Sequence, residues 1–300
     1  MALPKLLLQL DIDRHPSSFD GVVAYDAGVD HLLSYGEVTP ENGVPLVHGA
    51  MFTRGGSGLR GTAIFIGGSQ VAPAELILNR VLDTFFGPVR VSVMFDANGC
   101  NTTAAAAVLC AMRHVSLAGA TAVVLAGTGP VGMRVARMLA SAGCHVRVVS
   151  REGARAQKAV HQIGQFVPRT LLSPHAAANP QSTAEVLHGA NLLFACGAAG
   201  TRLLDAAALA DASSITVAVD LNAVPPEGVE GIRVTDAGRE AQGRILYGAI
   251  GVGGLKMKIH KAAIGKLFEA NDLVLDADEI FAIGQSLESG APTPLKDRPA

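Results

Sequence analysis

The sequence predicts an α/β protein in which apolar β-strands alternate with helices along the whole chain. Three observations lead to this prediction. Short apolar runs are separated by segments of helical periodicity. Of the 300 residues, 49% are hydrophobic and 17% are charged, which suits a well-buried chain. One apolar run passes through a glycine-rich turn directly into a helical segment, as in a doubly wound parallel sheet.

The first half of the chain is predicted to form an α/β domain of its own. Its predicted strands are Lys5–Leu10, Thr62–Ile66 and Arg90–Phe95. A helix is expected to begin at Ser17 and Ser18, because hydroxyl residues favour N-cap positions. An amphipathic helix is predicted for Pro73–Phe86. A polar loop, 96–103, leads into an alanine-rich helix at 102–114.

The second half contains six apolar strands with helices between most of them. These strands are predicted near 122–126, 145–149, 170–172, 192–196, 215–219 and 245–249. A last long helix is expected from about Leu255 to Glu269, after the glycine-rich segment 251–254, and would return the chain to the first domain. The residues 286–300 are rich in proline and are predicted to be a loose tail.

The glycine-rich turn, 127–132, reads G-T-G-P-V-G and fits the pattern G-x-G-x-x-G. Because a strand precedes it and a helix and second strand follow, it indicates a Rossmann dinucleotide site rather than an ordinary βαβ turn. Gly127 would allow the tight turn, Gly129 would admit a pyrophosphate, and Gly132 would let helix and strand pack closely. Amides at the helix start would face the phosphates. The predicted cofactor-binding residues here are Gly127, Thr128, Gly129, Pro130, Val131 and Gly132.

The end of the next strand favours NADP as the cofactor. An NAD site usually has Asp or Glu about 20 residues beyond the motif, whereas this chain has Ser150 and Arg151, with Arg155 close behind. A hydroxyl and guanidinium groups suit a 2′-phosphate. Glu152 would repel that phosphate, so NAD remains the less preferred cofactor. Asn222, after a later strand, either caps its loop or approaches the nicotinamide.

Composition argues against several classes of partner. The net charge is −2 and aromatic residues make up 4% with no Trp, so no nucleic-acid partner is expected. No apolar run reaches roughly 18 residues, so no membrane span is expected. The four cysteines lack metal-ligand or paired spacing, which predicts no metal site and a reducing compartment, the cytoplasm.

Three polar segments near strand ends are candidate substrate sites, because open α/β sheets bind ligands there. Their candidate residues are Asp20, Asn98, Thr102 and Lys256. Each also has a structural interpretation. Asp20 suits the first turn of a helix, Asn98 begins a common Asn-Gly turn, Thr102 suits a helix cap, and Lys256 with His260 could form a solvated helix face.

Three segments together resemble one enzyme family. They are 98–106 (NGCNTTAAA), 126–134 (AGTGPVGMR) and 248–269 (GAIGVGGLKMKIHKAAIGKLFE). With these segments the chain resembles the bacterial NADP-dependent methylene-tetrahydromethanopterin dehydrogenase of methylotrophs, some members of which also accept methylene-tetrahydrofolate. The resemblance covers roughly residues 5–285. The chain departs from the family at Cys100, where a serine is expected, and at the Arg151-Glu152 pair.

The resemblance implies a subunit of two domains with a cleft between them. The expected substrate domain is 1–114, completed by 267–300, and the expected Rossmann NADP-binding domain is 115–266. The family also implies a small-molecule pterin substrate and a homo-oligomer, expected to be a trimer.

The implied reaction removes a hydride from the methylene carbon between two pterin nitrogens and leaves a methenyl cation. Since no proton moves in that step, no acid–base pair is required. The resemblance therefore places Asp20 and Asn98 near the pterin and the reacting carbon. Lys256 is expected to stand away from the cation, binding a pterin carbonyl or positioning the ring, and Thr102 to bond the substrate or the nicotinamide carboxamide.

Two alternative functions remain open at this point. One is a methylenetetrahydrofolate dehydrogenase that acts on folate alone, and the other is a non-catalytic NADPH-binding regulator. A dehydrogenase of small hydroxy acids is disfavoured, because that reaction needs a general base and His260 is the one histidine near a plausible cleft.

Overall fold

The computed structural model describes residues 3–290, which contain twelve β-strands and ten α-helices, numbered here in chain order. The strands are β1 (Leu6–Asp11), β2 (His31–Tyr35), β3 (Thr62–Gly67), β4 (Ser92–Phe95), β5 (Thr121–Leu125), β6 (His145–Ser150), β7 (Leu172–Ala176), β8 (Leu192–Ala195), β9 (Val217–Asp220), β10 (Ala237–Ala241), β11 (Arg244–Tyr247) and β12 (Val274–Leu275). The helices are α1 (Ser18–Asp26), α2 (Val44–Phe52), α3 (Val71–Thr84), α4 (Cys100–Met112), α5 (Pro130–Ser141), α6 (Gly153–Ile163), α7 (Pro180–Leu187), α8 (Ala206–Asp211), α9 (Ala249–Lys266) and α10 (Ala277–Ser289).

The first of two compact units contains the residues up to Thr102 and those from Met257 onward. Its sheet has the strand order β12-β4-β3-β1-β2, and every pairing in it is parallel. The central strands are apolar and buried on both faces, as expected for parallel strands. The order reverses between β1 and β3, which is where a sheet of this kind opens a ligand crevice at its carboxyl edge.

The second unit, Thr103–Lys256, contains a seven-stranded sheet of order β10-β11-β9-β8-β5-β6-β7. Six of these strands are parallel and β10 is antiparallel at the edge. Numbered from β5 and without β10, the order is 3-2-1-4-5-6, the doubly wound Rossmann order. The predicted α/β fold class is confirmed, and the switch point of this sheet lies between β5 and β8.

The chain passes between the two units within α4 and within α9. The predicted domain boundaries, 114/115 and 266/267, lie at the C-terminal ends of these same helices. Because each helix continues without a break across the boundary between the units, its sequence periodicity does not indicate where that boundary lies.

The predicted positions of one strand and of the C-terminal tail require correction. The strand predicted at 170–172 lies at 172–176, where the edge position of β7 accepts Pro174. The start of the predicted tail is helical, because α10 continues to Ser289 and is followed by Gly290 with a positive φ of 68°. The rest of that tail, 291–300, lies outside the described residues.

Helix α9 begins at Ala249 rather than near residue 255. The N–H groups of Ile250 and Gly251 both donate to the carbonyl of Val234. A Cβ at Gly251 would collide with the carbonyl of Asp236. Gly251, one of the glycines that indicate a loop in the sequence, therefore allows the first turn of this helix to approach the neighbouring backbone. Within residues 3–290, no helix has the length and apolar character needed to span a membrane.

Candidate functional site

The turn after β5 is built around Ala126 rather than Gly127. Ala126 has a φ of +52°, a left-handed conformation that non-glycine residues rarely adopt. Its carbonyl accepts the N–H of Gly129 at 3.2 Å, and the N–H of Gly127 donates to Val149 on β6 at 2.9 Å. The tight turn predicted at Gly127 is therefore present, but its left-handed residue is Ala126.

The three glycines of the turn meet different surroundings. A Cβ at Gly127 would lie 2.8 Å from the carbonyl of Val124, and a Cβ at Gly132 would lie 2.8 Å from that of Ala126. A Cβ at Gly129 would have its nearest neighbour at an ordinary 3.7 Å. The packing of the chain therefore requires glycine at two positions and leaves room above the third, which fits a ligand that approaches Gly129.

Helix α5 begins at this turn with Gly129 as N-cap and Pro130 at its first position, and no side chain caps it. The first amides of a helix have no partners within the helix and carry its positive dipole end. Thr128 and Val131 are partly exposed beside them. Because the turn lies at the switch point of the sheet, these amides can hold the phosphates of a dinucleotide.

The residues predicted to select NADP follow at the end of β6. Ser150 is buried, and its hydroxyl oxygen accepts the N–H of Glu152 at 3.3 Å. Arg151, Glu152 and Arg155 are exposed, and Glu152 is the N-cap residue of α6 without a side-chain hydrogen bond. Both arginines thus follow the carboxyl end of the strand that adjoins the glycine turn.

Asn222 joins two loops at the carboxyl edge of this sheet. Its side-chain oxygen accepts the N–H groups of Gly200 at 3.2 Å and Val224 at 3.1 Å, and its amide donates to the carbonyl of Pro226 at 2.7 Å. The side chain is buried. Of the two predicted roles, capping the loop is therefore the one that the contacts describe.

Asp220 closes β9 immediately before this loop and is also buried. Its carboxylate accepts the N–H groups of Asn222 at 3.0 Å and Val229 at 3.0 Å. Burial raises the pKa of Asp220 above its ordinary value, although these N–H groups lower it in part. Burial and the nearby Asp220 raise the pKa of the Cys196 thiol well above its usual range. That thiol is therefore a poor nucleophile.

In the first unit, Asp20 lies at the switch point between β1 and β3. Its N–H donates to the hydroxyl of Ser17, the N-cap of α1, at 3.3 Å. One oxygen of its carboxylate lies 3.9 Å from Nε2 of His260 on α9. A Cβ at Gly67, the last residue of β3, would lie 3.7 Å from the other oxygen. The predicted residue therefore stands over the carboxyl end of β3.

Asp11 at the end of β1 fixes the start of α1. Its carboxylate accepts the N–H groups of Asp13 at 2.8 Å and Ser17 at 3.1 Å. Burial raises the pKa of Asp11, an effect that these two N–H groups reduce. Because Ser17 in turn caps α1, Asp11 sets the position from which Asp20 projects.

Asn98 and Thr102 occupy different environments after β4. Asn98 is exposed, has a φ of +53°, and donates its N–H to the carbonyl of Gly68 at 2.7 Å. Its loop therefore joins the end of β3, near Asp20. Thr102 is buried, and its hydroxyl donates to Asp96 at 2.6 Å. Asp96 also accepts the N–H groups of Asn101 and Thr102, so Thr102 holds the start of α4 rather than reaching outward.

Lys256 is partly exposed on α9, one turn before His260.

Within residues 3–290, no group of three or more His, Cys, Asp or Glu side chains could hold a metal ion.

Residues 18–98 match the family described as methylene-tetrahydromethanopterin dehydrogenase, N-terminal, and residues 115–228 match the one described as "Putative NAD(P)-binding". The bifunctional protein MdtA of Methylorubrum extorquens is 46% identical over 285 residues, which cover 94% of this chain and 99% of that protein. The chain belongs to the methylene-tetrahydromethanopterin dehydrogenase family.

One further relative supports this membership, and one solved structure supports the fold. The NAD(P)-dependent methylenetetrahydromethanopterin dehydrogenase of Methylorubrum extorquens is 29% identical over 282 residues, covering 90% of this chain and 94% of that protein. Quinate dehydrogenase from Corynebacterium glutamicum in complex with NAD is 16% identical, with a TM-score of 0.50, covering 95% of this chain and 99% of that one. The latter likeness is one of fold alone.

Several residues of this family member were not among the predicted site residues. Asp11 and Asp220 are the last residues of β1 and β9, Asp96 follows β4 directly, and each accepts backbone N–H groups from the segment that follows. Their shared place in the sequence is a signal that could have identified them. The contacts of His260 with Phe19 and Phe65 join three distant segments, so spacing along the chain could not have indicated them.

Proposed function

We propose that this protein is an NADP-dependent dehydrogenase of methylene-tetrahydromethanopterin in one-carbon metabolism. A hydride leaves the methylene carbon with its bonding electron pair, NADP⁺ becomes NADPH, and the pterin becomes the methenyl cation. The observation that carries this proposal is the 46% identity over 94% of the chain, together with the second relative named for this substrate. The silent NADPH-binding regulator has no observation in its favour.

The second unit is the proposed NADP-binding domain. The first amides of α5 and the open position at Gly129 would hold the pyrophosphate, and Arg151 with Arg155 would bind the 2′-phosphate. Asn222 would support the nicotinamide end by fixing the loop after β8. When bound, the cofactor supplies the nicotinamide ring that accepts the hydride.

The first unit is the proposed substrate domain. The Asp20 carboxylate would stabilise the positive charge that develops on the N–C–N group, because opposite charge in a site of low dielectric constant favours the transition state. Asn98, on the loop bound to Gly68, would contact the pterin. Lys256, the last residue of the second unit, would bind a pterin carbonyl. Thr102 would act indirectly by holding that loop through Asp96.

A homo-oligomer, specifically a trimer, is also part of the proposal and would be tested by sedimentation velocity. A cytoplasmic location is proposed as well, because the spacing of the four cysteines in the sequence suits a reducing compartment.

The proposed function is tested by initial rates with methylene-tetrahydromethanopterin and methylene-tetrahydrofolate, each with NADP and with NAD. We expect NADP reduction with the methanopterin substrate, and a higher kcat/KM for NADP than for NAD. A rate with the folate substrate alone would identify the folate dehydrogenase instead. NADPH binding without turnover of either pterin would identify a regulator.

A further inference from the structure

The C-terminal segment 270–276 of the first unit is bound to β4. Its strand, β12, pairs in parallel with β4, with Leu275 beside Met94. Before this pairing begins, the hydroxyl of Ser92 donates to the carbonyl of Ala270 at 2.9 Å. The segment is therefore joined to β4 at the start of that strand and along it.

A side-chain contact joins the same segment to the other end of β4. The amide of Asn101, on the first turn of α4, donates to the carbonyl of Phe95 at 2.6 Å and to the carboxylate of Asp276 at 2.9 Å. Asn101 is buried. Its amide has two N–H groups, so removal of the Asp276 carboxylate would take away the acceptor of a buried donor, which is costly.

Asp276 has a contact that its place at the start of α10 does not require. It is the N-cap residue of that helix, and its N–H donates to the carboxylate of Glu279 at 3.2 Å. An N-cap residue serves the first turn of its own helix. The contact with Asn101, 175 positions away in the sequence, is therefore an additional connection between the C-terminal helix and the start of α4.

The loop 96–102, which Asn101 helps to close, carries a residue proposed to contact the pterin. Asp96 accepts the N–H of Asn101 at 2.8 Å. Asn98 lies between them with a φ of +53°, a left-handed conformation that persists only where the surrounding structure fixes it. The Asn101–Asp276 contact is one of the contacts that fix the loop from behind, on the side of α10.

We propose that Asp276 is a positioning residue for the substrate, which acts through Asn101 to hold the loop 96–102 in the arrangement that binds the pterin. This inference rests on the proposed function, since its substrate is the pterin. Without the contact, a smaller fraction of the molecules has the loop in the binding arrangement, and the apparent affinity for the pterin falls by that fraction. Affinity for NADP, whose proposed site lies in the second unit, does not depend on this contact.

The test compares the kinetics of Asp276→Ser and Asp276→Asn with those of the wild type. Serine also favours N-cap positions, but its side chain is one bond shorter and would lose the 2.9 Å contact with Asn101. Asp276→Ser is expected to raise the KM for methylene-tetrahydromethanopterin by about tenfold, the order expected for the loss of a hydrogen bond to a charged group. The KM for NADP should stay within about twofold. Asp276→Asn keeps an oxygen acceptor and should behave as the wild type does.

Asp205→Ser is the matched control, because it makes the same substitution at another N-cap. Asp205 begins α8 in the second unit and accepts the N–H of Ala208 at 2.7 Å. This control should change neither KM. Hydrogen exchange, followed by mass spectrometry, should be about tenfold faster at the loop 96–102 in Asp276→Ser and unchanged there in Asp205→Ser. Asp276→Thr, which is also too short to reach Asn101, replaces Asp276→Ser if the latter does not fold.

Unchanged exchange at the loop 96–102 in Asp276→Ser would overturn the inference. Faster exchange with an unchanged pterin KM would also overturn it, because the contact would then stabilise the loop without positioning it for the substrate. Equal increases in KM for the pterin and NADP would have the same consequence. Turnover by the wild type tests the proposed function separately: a wild type that turns over no pterin would reject both, whereas wild-type turnover with an unchanged KM in Asp276→Ser would reject the positioning role alone.

Discussion

At the scale of single residues, the nucleotide turn separates what the fold requires from what a ligand requires. The carbonyls of Val124 and Ala126 exclude side chains at Gly127 and Gly132. Gly129 has room for a Cβ, and Ala126 adopts the left-handed conformation although glycine would adopt it more readily. Within the six positions 127–132, two glycines are therefore required by the packing of the fold, and the third leaves space for a ligand.

Gly129→Ala is expected mainly to weaken NADPH binding, whereas Gly127→Ala is expected mainly to lower the stability of the fold. Gly129→Ala should change the free energy of unfolding by no more than about 1 kcal/mol but weaken NADPH binding by at least about tenfold, because its Cβ occupies the space of the pyrophosphate. Gly127→Ala should lose about 1–3 kcal/mol through its contacts with Val124 and Val148. Urea unfolding and NADPH titration measure both; an unchanged NADPH affinity in Gly129→Ala would contradict the ligand role.

Arg151→Gln is expected to reduce kcat/KM for NADP by about 10–100-fold, the loss of a charge-assisted hydrogen bond to the 2′-phosphate. The value for NAD should change little, because NAD lacks that phosphate. Arg169→Gln is the matched control, since Arg169 is exposed at the other end of the sheet, before β7. Equal reductions in kcat/KM for NADP and NAD would show that Arg151 does not bind the 2′-phosphate.

Asp220 predicts a pH dependence of stability. Burial raises its folded-state pKa above 3.8, so its contribution is fully present below about pH 4 and is lost as pH rises through the folded-state pKa. The stability advantage of wild type over Asp220→Asn should therefore shrink as pH rises above about pH 4.

Asp236→Asn is the control of opposite sign. Burial would raise the pKa of Asp236, but the hydrogen bond and charge of Arg239 outweigh burial and lower it. The advantage of wild type over Asp236→Asn should therefore grow with pH. The free energies of unfolding are measured in urea at several pH values. If the advantage of wild type changed with pH in the same direction for both variants, the opposite pKa shifts of Asp220 and Asp236 would be refuted.

At the scale of elements, three strands use the same device. β1, β4 and β9 are apolar, and Asp11, Asp96 and Asp220 stand at their carboxyl ends, where each accepts N–H groups of the next turn. The device fixes the start of α1, the start of α4 and the loop that contains Asn222. Candidate site residues on those segments, Asp20 and Asn98 among them, owe their positions to it.

Asp96→Ala should lower the free energy of unfolding by about 2–4 kcal/mol, because two amides of α4 and the hydroxyl of Thr102 lose their buried acceptor. Asp83→Ala, at an exposed position near the end of α3, should change it by less than about 0.5 kcal/mol. Urea unfolding measures both. A similar small effect in the two variants would show that Asp96 does not hold this helix.

The elements that the sequence predicted are those with strong local patterns. The buried strands β3, β5 and β8 consist mostly of apolar residues, and their positions needed no knowledge of their neighbours. β10 is a polar segment, AGREA, that becomes a strand through its pairing with β11. The start of α9 depends on the approach of a distant backbone segment to Gly251. Such elements are decided by tertiary contacts, which spacing along the chain does not encode.

At the scale of the whole molecule, the chain combines a parallel sheet of five strands with a mostly parallel sheet of seven strands and a different strand order. In each sheet the candidate residues stand at the carboxyl edge near the switch point, the glycine turn in one and Asp20 in the other. This division agrees with the proposal that the cofactor binds to one unit and the pterin to the other. It also explains why the glycine motif could identify a dinucleotide but not the substrate.

The most direct test of this account is a single turnover with methylene-tetrahydromethanopterin that carries deuterium on the methylene carbon. The NADPH formed is then analysed by mass spectrometry and NMR. The account predicts deuterium at C4 of the nicotinamide ring, together with the methenyl pterin. NADPH without deuterium, or no NADPH at saturating concentrations of both compounds, would contradict direct hydride transfer by this protein.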